Sequence, residues 1–391
     1  MHTSTNTWPQ LDERDEAAVL RVLRDGNIST HPVIGELEAD YASFTGRRFA
    51  LAHNSGTAGL MAAFHALGLQ PGDEVLVPTA TFWASVLPML WFGLVPVFCE
   101  SETERMGPDP EDMRKRITTR TKAMVVVHLW GLPAKMTELQ ALAQEFDLKI
   151  IEDASHAHGA SWRGIPCGRL GDISVFSLQG DKLAPAGEGG MFLTDNEEYY
   201  ERALCLGDIT RILHLPGPAR RFAATSFGVK TRIAPLCAAV ARVQLGKLPE
   251  HNARRNANLL RLSIALEELG FDTFLPPVHI ERVYFEFLIR PRDAQLDVAD
   301  LVQQLQAKGC EVSCPRYPLL HDQPFFTEGH WRSIARLPAG MEPNLAAPEE
   351  FERTRAASAR LLRLPAFPGE DDGIIEHYIE AFRQCCISST A

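Results

Sequence analysis

The sequence predicts an α/β fold: a large domain with a mostly parallel sheet of about seven strands, followed by a smaller C-terminal α/β domain. Three observations support this. From residue 49 onward, short β-branched apolar runs alternate with helical patterns. After Pro249 the sequence pattern changes, and residues 256–269 have the pattern of an amphipathic helix that ends at Gly270. The length of 391 residues allows two or three structural units with a large core.

Apolar runs of strand length supply the strands of the large sheet. They are FALAH (49–53), EVLVP (74–78), VPVFCE (95–100), AMVVVH (123–128), LKIIED (148–153), DISVFSL (172–178) and GGMFLTD (189–195). TAGLMAAFHALG (57–68) and AKMTELQALAQEFD (134–147) are predicted as helices between them. The last two runs follow each other closely and complete the sheet.

The second half of the chain is predicted to form the smaller domain. We place residues 1–249 in an N-terminal segment with the large domain, and residues 250–391 in the small domain. There the predicted strand VYFEFLIR (283–290) alternates with the predicted helices DVADLVQQLQAKG (297–309) and EFERTRAASARLL (350–362). Residues 315–348 are rich in Pro, His and aromatic residues and show no periodicity, which predicts an ordered loop that covers the functional site.

Charge and composition exclude several classes of function. The 39 Lys and Arg against 50 Asp and Glu give a net charge of −11, so nucleic acid and anionic membranes are poor candidates for partners. The uncharged stretch 82–99 just reaches the length of a membrane span. Pro88, Gly93 and Pro96 interrupt it and favour a short buried helix followed by a buried strand.

The eight cysteines form no CxxC pair and have no histidine partner at the spacing of zinc ligands. We interpret them as reduced, mostly buried thiols and predict no metal site. Residues 1–16 lack the basic and then apolar order of a signal peptide, which predicts a cytoplasmic location.

Two carboxylates follow directly from a predicted buried strand. In IIEDASHAHGA (150–160), Glu152 and Asp153 stand at the carboxyl end of the strand, where open α/β sheets place their ligands. A cap for the next helix is the alternative explanation for an aspartate here.

Lys182 lies in FSLQGDKLAPAGEGG (176–190), five residues after Ser177 and before a cluster of glycines. This spacing predicts a tight, partly dehydrated turn in which the amine has a lowered pKa and can form a Schiff base. A solvated loop lysine is the alternative, since lysines are seldom buried. The glycines, the serine and the nearby carboxylate favour the reactive amine.

HNSGTAGL (53–60) places Ser55, Gly56 and Thr57 between a strand and an apolar helix. Free N–H groups at a helix N-terminus bind anions, which predicts a phosphate site, although the same residues also make an ordinary helix cap. Phe82 follows the next strand, where its ring could stack on a flat cofactor or pack in the core.

Together these features resemble a fold-type-I pyridoxal-phosphate enzyme, with the aspartate 29 residues before the lysine (182 minus 153). More narrowly, the sequence resembles the DegT/DnrJ/EryC1/StrS aminotransferases, which aminate keto-sugars and cyclitol ketones. The resemblance runs from Trp8 to the C-terminus. Its motifs are VLRDGNIST (22–30), HNSGTAGL (53–60), GDEVLVPTATF (72–82), IIEDASHAHGA (150–160), FSLQGDKLAPAGEGG (176–190), RYPLLH (316–321) and LPAFP (364–368).

The resemblance implies a role for each matching residue. Lys182 would hold pyridoxal 5'-phosphate covalently and later shuttle a proton, and Asp153 would form a salt bridge with the pyridine nitrogen. Phe82 would cover one ring face. The remaining positions carried over are Ser55, Gly56, Thr57 and Ser177 at the phosphate, His156 close to the ring oxygen, and Tyr317 and His321 in a loop over the substrate. For the last two, packing within that loop is the alternative.

Three positions bear on the branch of the family. Lys182 disfavours the dehydrating subgroup that has histidine there. Gln179, where two aromatics commonly follow the serine, resembles the branches acting on cyclitols or aminobenzoate precursors, and we place it at the substrate. Lys230 replaces the frequent Asn of a GxNxR motif. It is predicted to contact the cofactor phosphate of the other subunit of a homodimer, with an exposed surface lysine as the alternative.

The resemblance therefore implies an aminotransferase that moves an amino group from glutamate or glutamine to a cyclic ketone, a sugar or a cyclitol, in a ping-pong reaction. A dehydratase or aromatase of the same family and a non-catalytic regulator that retains the fold are the alternatives. No GxGxxG opens the first βα turn, which disfavours a nicotinamide dehydrogenase.

Overall fold

The computed structural model describes residues 7–335, 337–338, 340–342, 348–369 and 373–388. Residues 1–6 of the N-terminal segment and positions 336, 339 and 343–347 of the loop predicted at 315–348 lie outside the described residues. The helices are α1 (Glu13–Asp25), α2 (Val33–Thr45), α3 (Gly56–Leu67), α4 (Leu87–Leu90), α5 (Pro110–Arg116), α6 (Met136–Phe146), α7 (Glu197–Gly207), α8 (Ile209–Ile212), α9 (Pro235–Glu268), α10 (Val298–Ala307), α11 (Pro324–Thr327), α12 (Glu352–Ala359) and α13 (Ile374–Ser388). The strands are β1 (Phe49–His53), β2 (Glu74–Pro78), β3 (Val95–Cys99), β4 (Thr121–Val127), β5 (Lys149–Asp153), β6 (Ser161–Trp162), β7 (Ile165–Pro166), β8 (Ile173–Ser177), β9 (Gly190–Thr194), β10 (Phe271–Asp272), β11 (Ile280–Glu281), β12 (Phe287–Pro291) and β13 (Leu362–Leu364).

The large sheet joins seven strands in the order β1-β9-β8-β5-β4-β2-β3. Strands β3, β2, β4, β5 and β8 are parallel, whereas β9 runs antiparallel to both β8 and β1. These strands coincide with the apolar runs of the sequence, so the predicted α/β class and mostly parallel sheet are confirmed. Strands β2, β3 and β9 are buried at every residue, as expected for a sheet with both faces covered.

The strand order determines where a ligand can bind. Strands β2, β4, β5 and β8 are parallel neighbours, so their carboxyl ends meet at one edge of the sheet. The segments that follow β2 and β5, and the loop between β8 and β9, all begin at this edge. Ligands of open α/β sheets bind outside the carboxyl ends of the strands.

Helix α9 crosses the domain boundary predicted at Pro249, which lies inside the helix rather than in a linker. Leu248 belongs to the core of the large sheet, whereas Leu259 belongs to a second core built with the small antiparallel sheet β10-β12-β13. Val283, from beyond the boundary, packs in the first core. The two cores therefore share one helix, and the division at residue 249 stays a prediction.

The uncharged stretch 82–99 forms a 3₁₀ turn (Trp83–Ser85), the short helix α4 and strand β3, in agreement with the predicted buried helix and strand. Pro88 stands in the first turn of α4, where a missing N–H costs nothing. No helix in the described part of the chain is long and apolar enough to cross a membrane.

The cysteines are free thiols within this fold. Cys99, Cys167, Cys205, Cys310 and Cys385 are buried, Cys237 and Cys386 are half-buried, and Cys314 is exposed. This distribution confirms the interpretation of mostly buried thiols.

Candidate active site

A cavity of about 420 Å³ lies at the carboxyl edge of the large sheet. It brings together residues that are far apart in the sequence. The predicted site residues in its wall are Ser55, Gly56, Thr57, Phe82, Asp153, His156, Ser177, Gln179, Lys182 and Tyr317. Lys230 and His321 are not part of this wall.

The N-terminus of α3 forms one part of the wall. Ser55 caps the helix, because its hydroxyl accepts a hydrogen bond from the Ala58 N–H at 3.1 Å. The N–H groups of Gly56 and Thr57 belong to the first turn, where the helix itself supplies no acceptor. A Cβ at position 56 would lie 2.8 Å from the Ser177 Cβ, so glycine is needed for the helix to reach the end of β8. Helix and serine together form a cradle suited to a phosphate.

Asp153 ends strand β5 and is only 6% exposed. Its Oδ1 accepts a hydrogen bond from the Ser155 N–H at 3.1 Å, and its Oδ2 accepts one from the Ser85 hydroxyl at 2.7 Å. Both donors stabilise a negative charge on the carboxylate. A buried, charged carboxylate in the wall of a cavity is suited to bind a cationic group of a ligand.

Lys182 lies in the compact loop between β8 and β9. Within that loop the Lys182 N–H donates to the Gln179 carbonyl at 2.8 Å. The Lys182 carbonyl accepts a hydrogen bond from the Trp8 indole at 3.0 Å, which joins the N-terminal segment to the loop. Burial lowers the pKa of the Lys182 amine to about 8, although Asp153 and Glu286 oppose this shift. The tight, partly dehydrated turn expected from the sequence is present.

His156 is buried between two aromatic rings in the cavity wall. Its ring stacks on Phe285 at a centroid distance of 4.2 Å and lies nearly parallel to the Tyr317 ring at 5.7 Å. Burial, together with the positive charges of Lys182 and Arg316, holds the pKa of His156 well below its usual value. The Nδ1 atom of the neutral ring accepts a hydrogen bond from the Trp130 N–H, so the ring hydrogen is on Nε2. Nε2 lies 3.2 Å from the Tyr317 hydroxyl oxygen.

Charged and aromatic residues surround the mouth of the cavity. Arg316 forms ion pairs with Asp181 at 3.0 Å and with Glu286 at 2.8 Å. The rings of Phe82 and Trp83 also line the cavity and are 40% and 43% exposed.

The sequence analysis did not predict Arg316, Asp181 and Trp83 as wall residues, although each is adjacent in the chain to a residue that was predicted. Their adjacency to Tyr317, Lys182 and Phe82 was the signal available.

His321 lies in a buried packing contact outside the cavity wall. Its Nδ1 is 2.5 Å from the Thr79 hydroxyl, its Nε2 is 3.1 Å from Asp322, and its ring lies 4.0 Å from the centroid of Phe351. These contacts attach the loop to the end of β2. They correspond to the packing role that the sequence left open for this residue, and its role at the substrate stays a prediction.

Lys230 is exposed and forms no ion pair within the described residues. The next residue, Thr231, accepts the Asn54 N–H through its carbonyl at 2.6 Å. The backbone beside Lys230 therefore runs next to the turn that precedes Ser55, while its side chain faces outward from this chain.

Glu152, the neighbour of Asp153, has a structural role. Its carboxylate accepts hydrogen bonds from the backbone N–H groups of Gly168, Leu170 and Gly171 and from His128 Nε2. The other nitrogen of His128 accepts the Ala134 N–H at 3.1 Å. Cys167 completes a buried cluster of possible metal ligands with these two residues, but the hydrogen bonds already occupy the ring and the carboxylate. The cluster holds the 168–171 turn.

An amine of lowered pKa is what an aldehyde cofactor needs for covalent attachment, and a buried carboxylate is suited to a protonated pyridine nitrogen. With a phosphate cradle in the same cavity, fold and site define this protein as a fold-type-I pyridoxal-phosphate enzyme. Within that class, the chain belongs to the DegT/DnrJ/EryC1/StrS aminotransferase family, whose model matches residues 9–383. The resemblance found in the sequence is confirmed.

Solved structures with the same fold cover nearly the whole chain. DesV of S. venezuelae is 29% identical with a TM-score of 0.81, and the match covers 95% of this chain and 94% of that chain. A 3-amino-5-hydroxybenzoic acid synthase is 27% identical with a TM-score of 0.85, covering 99% of each chain. An aminotransferase from Psychrobacter cryohalolentis is 24% identical with a TM-score of 0.86, covering 98% of this chain and 99% of that chain, and supports the fold alone.

Proposed function

We propose that this protein is a pyridoxal-phosphate aminotransferase that moves an amino group from glutamate or glutamine to a cyclic ketone. The acceptor is a keto-sugar or a cyclitol ketone in sugar or secondary-metabolite biosynthesis, including that of antibiotics with aminocyclitol units. One observation carries the proposal: Lys182 and Asp153 line one cavity together with the N-terminus of α3. Amine, carboxylate and anion cradle are the groups this chemistry requires.

Each wall residue has a defined part in this proposal. Bound pyridoxal phosphate supplies an electron sink for the carbanion formed when the substrate loses its α-proton. Lys182 would hold the cofactor covalently at rest and, as a free amine, would move the proton between carbon centres. Asp153 balances the charge on the pyridine nitrogen, and Phe82 covers one ring face. Ser55, Gly56, Thr57 and Ser177 bind the phosphate, and His156 lies near the ring oxygen.

The mouth of the cavity supports a polyhydroxylated ring as acceptor. The Gln179 amide, the Arg316 guanidinium and the Tyr317 hydroxyl can bind ring hydroxyls through hydrogen bonds. The exposed ring of Trp83 can pack on the C–H face of a sugar or cyclitol. An apolar ketone would make no hydrogen bonds with these polar groups.

The test uses the enzyme in its pyridoxamine form, mixed with a panel of keto-cyclitols and nucleotide keto-sugars. We expect at least one cyclic ketone to restore the absorbance of the pyridoxal form and to appear as the corresponding amine by mass spectrometry. A product that has lost water instead would support the dehydratase or aromatase alternative. Failure of the purified chain to bind any pyridoxal phosphate would overturn the proposal in favour of a non-catalytic protein.

The lowered pKa of Lys182 predicts how cofactor capture depends on pH. Only the unprotonated amine attacks an aldehyde, so a pKa of about 8 makes that form available well below the ordinary value of 10.5. We expect the rate of covalent capture by the apoenzyme to rise with pH, to reach half its maximum near pH 8 and to level off above that pH. Stopped-flow absorbance over a pH series measures it, with a free lysine derivative as the reference. A rate that follows the free amine at every pH would contradict the expectation.

We further propose that the protein is a homodimer in which Lys230 contacts the cofactor phosphate of the other subunit. The exposed ammonium lacks an ion-pair partner among the described residues, and Lys230 directly precedes Thr231, whose carbonyl accepts the Asn54 N–H next to the Ser55 turn. A cation next to a dianion forms a charge-assisted hydrogen bond. We expect Lys230→Ala to weaken pyridoxal phosphate binding about tenfold or more. Arg221→Ala, which removes another exposed cation of the same segment, should leave the affinity unchanged.

A subunit-mixing experiment tests the shared site. Inactive Lys182→Ala subunits are combined with Lys230→Ala subunits at limiting cofactor. Each mixed dimer would then contain one site with both lysines and one site with neither, so activity should exceed that of either parent. If subunit exchange is verified and no gain appears, Lys230 serves its own subunit or no site at all.

A further inference from the structure

A chain of buried hydroxyl groups lies behind Asp153. The Ser85 hydroxyl is 2.7 Å from Asp153 Oδ2, and the Thr81 hydroxyl is 3.1 Å from the Ser85 oxygen. Ser85 and Thr81 are each 1% exposed. Thr81 borders the cavity, whereas Ser85 stands behind its wall.

The direction of the hydrogen bonds follows from the chemistry of the groups. An ionised carboxylate can only accept, so Ser85 must donate its single hydroxyl hydrogen to Asp153. The Ser85 oxygen is then left as an acceptor for the Thr81 hydroxyl. The order is therefore Thr81 to Ser85 to Asp153, and each hydrogen bond polarises the next one in a buried environment.

A purely local role for the Ser85 hydroxyl does not fit its contacts. Serine in a helical turn often bonds back to its own backbone. Here the Ser85 N–H donates to the Phe82 carbonyl at 3.1 Å and closes the turn by itself. The hydroxyl bonds instead to Asp153, which is 68 residues away in the sequence. A buried hydroxyl in an apolar segment is thus directed at the Asp153 carboxylate in the cavity wall.

We propose that Ser85 is a positioning residue that fixes the orientation and charge of Asp153 toward the pyridine nitrogen of the cofactor, with Thr81 supporting it. This inference rests on the function proposed above. The Ser155 N–H on one oxygen and the Ser85 hydroxyl on the other restrain rotation of the carboxylate, and each oxygen keeps a lone pair for a further donor. Removing the hydroxyl frees Asp153 to turn and lessens its hold on the ring proton.

The test compares Ser85→Ala with Thr81→Val, which keeps the side-chain shape and provides the test even if Ser85→Ala folds poorly. Ser174→Ala is the matched control. It also deletes a fully buried serine hydroxyl, whose hydrogen bond of 2.6 Å goes to the Gly168 carbonyl. The readout is the nitrogen-15 resonance of labelled pyridoxal phosphate in the reconstituted proteins over a pH series, which reports protonation of the ring nitrogen independently of turnover.

We expect Ser85→Ala to move the ring-nitrogen titration to lower pH and to slow the half-reaction about tenfold, with a smaller change of the same sign for Thr81→Val. Ser174→Ala should behave as the wild type, and Ser85→Thr should restore the titration. Asp153→Asn distinguishes a failure of the proposed role of Ser85 from a failure of the proposed function. If Asp153→Asn moves the titration but Ser85→Ala and Thr81→Val do not, the role of Ser85 is overturned and the proposed function stands. If Asp153→Asn also leaves the ring-nitrogen titration unchanged, Asp153 is not the partner of the ring nitrogen and the proposed function itself is overturned.

Discussion

Replacement of Lys182 by alanine is expected to abolish amino transfer while leaving the fold intact. The change removes both the amine that attaches the cofactor and the base that moves the proton. General acid–base catalysis alone contributes about 10²- to 10⁴-fold, so kcat should fall at least about a thousandfold. The side chain is half-buried and its nitrogen lies 4.1 Å from the centroid of the Phe285 ring. Lys182 forms no ion pair within the described part of the chain, so truncation breaks no salt bridge, and we expect a thermal midpoint close to that of the wild type.

Borohydride reduction of the wild-type enzyme followed by peptide mapping identifies the attachment site directly. We expect the pyridoxyl group on Lys182. Lys135→Ala is the matched control, since Lys135 is also half-buried but pairs with Glu104 at 3.0 Å, away from the cavity. It should retain wild-type turnover. A label on another lysine, or near-normal turnover by Lys182→Ala, would refute the assignment.

Asp153→Asn is expected to slow the half-reaction with the amino donor far more than it weakens cofactor binding. Asparagine keeps the size of the side chain, and its single amide oxygen can still accept from one of the two donors, the Ser155 N–H or the Ser85 hydroxyl. It removes the charge that balances the protonated pyridine nitrogen. Loss of one partner from a buried ion pair costs roughly 3–5 kcal/mol, which corresponds to a rate lower by roughly 10²- to 10⁴-fold. Stopped-flow absorbance measures the half-reaction, and equilibrium titration of the apoenzyme measures cofactor affinity.

Asp181→Asn provides the control for this experiment. Asp181 also borders the cavity, but its carboxylate forms an ion pair with Arg316 at 3.0 Å. Its loss should affect substrate affinity more than the rate of the bound half-reaction. Equal rate losses for both variants would show that general electrostatics, and not a specific partner of the ring nitrogen, explains the effect of Asp153.

Local sequence was sufficient to predict the parts from which the cavity is built. The run at 148–153 predicts a buried strand that ends at Asp153, and Ser55 before an apolar helix predicts the cap of α3. Both signals act within a few residues, because strand burial and helix capping depend on near neighbours in the chain. The tight loop around Lys182 was predictable for the same reason, since its turns are made by glycines close to the lysine.

The tertiary structure alone decided which of these parts meet. Ser85 reaches Asp153 across 68 residues, Arg316 reaches Asp181 across 135, and His321 packs against Thr79 across 242. The motif around His321 could not show that its side chain packs against Thr79 at the end of β2. The change of sequence pattern at residue 249 predicted a domain boundary there, whereas helix α9 runs through that position without a break. Periodicity reports that a segment is buried, whereas its neighbours are decided by how all the strands and helices pack into one core.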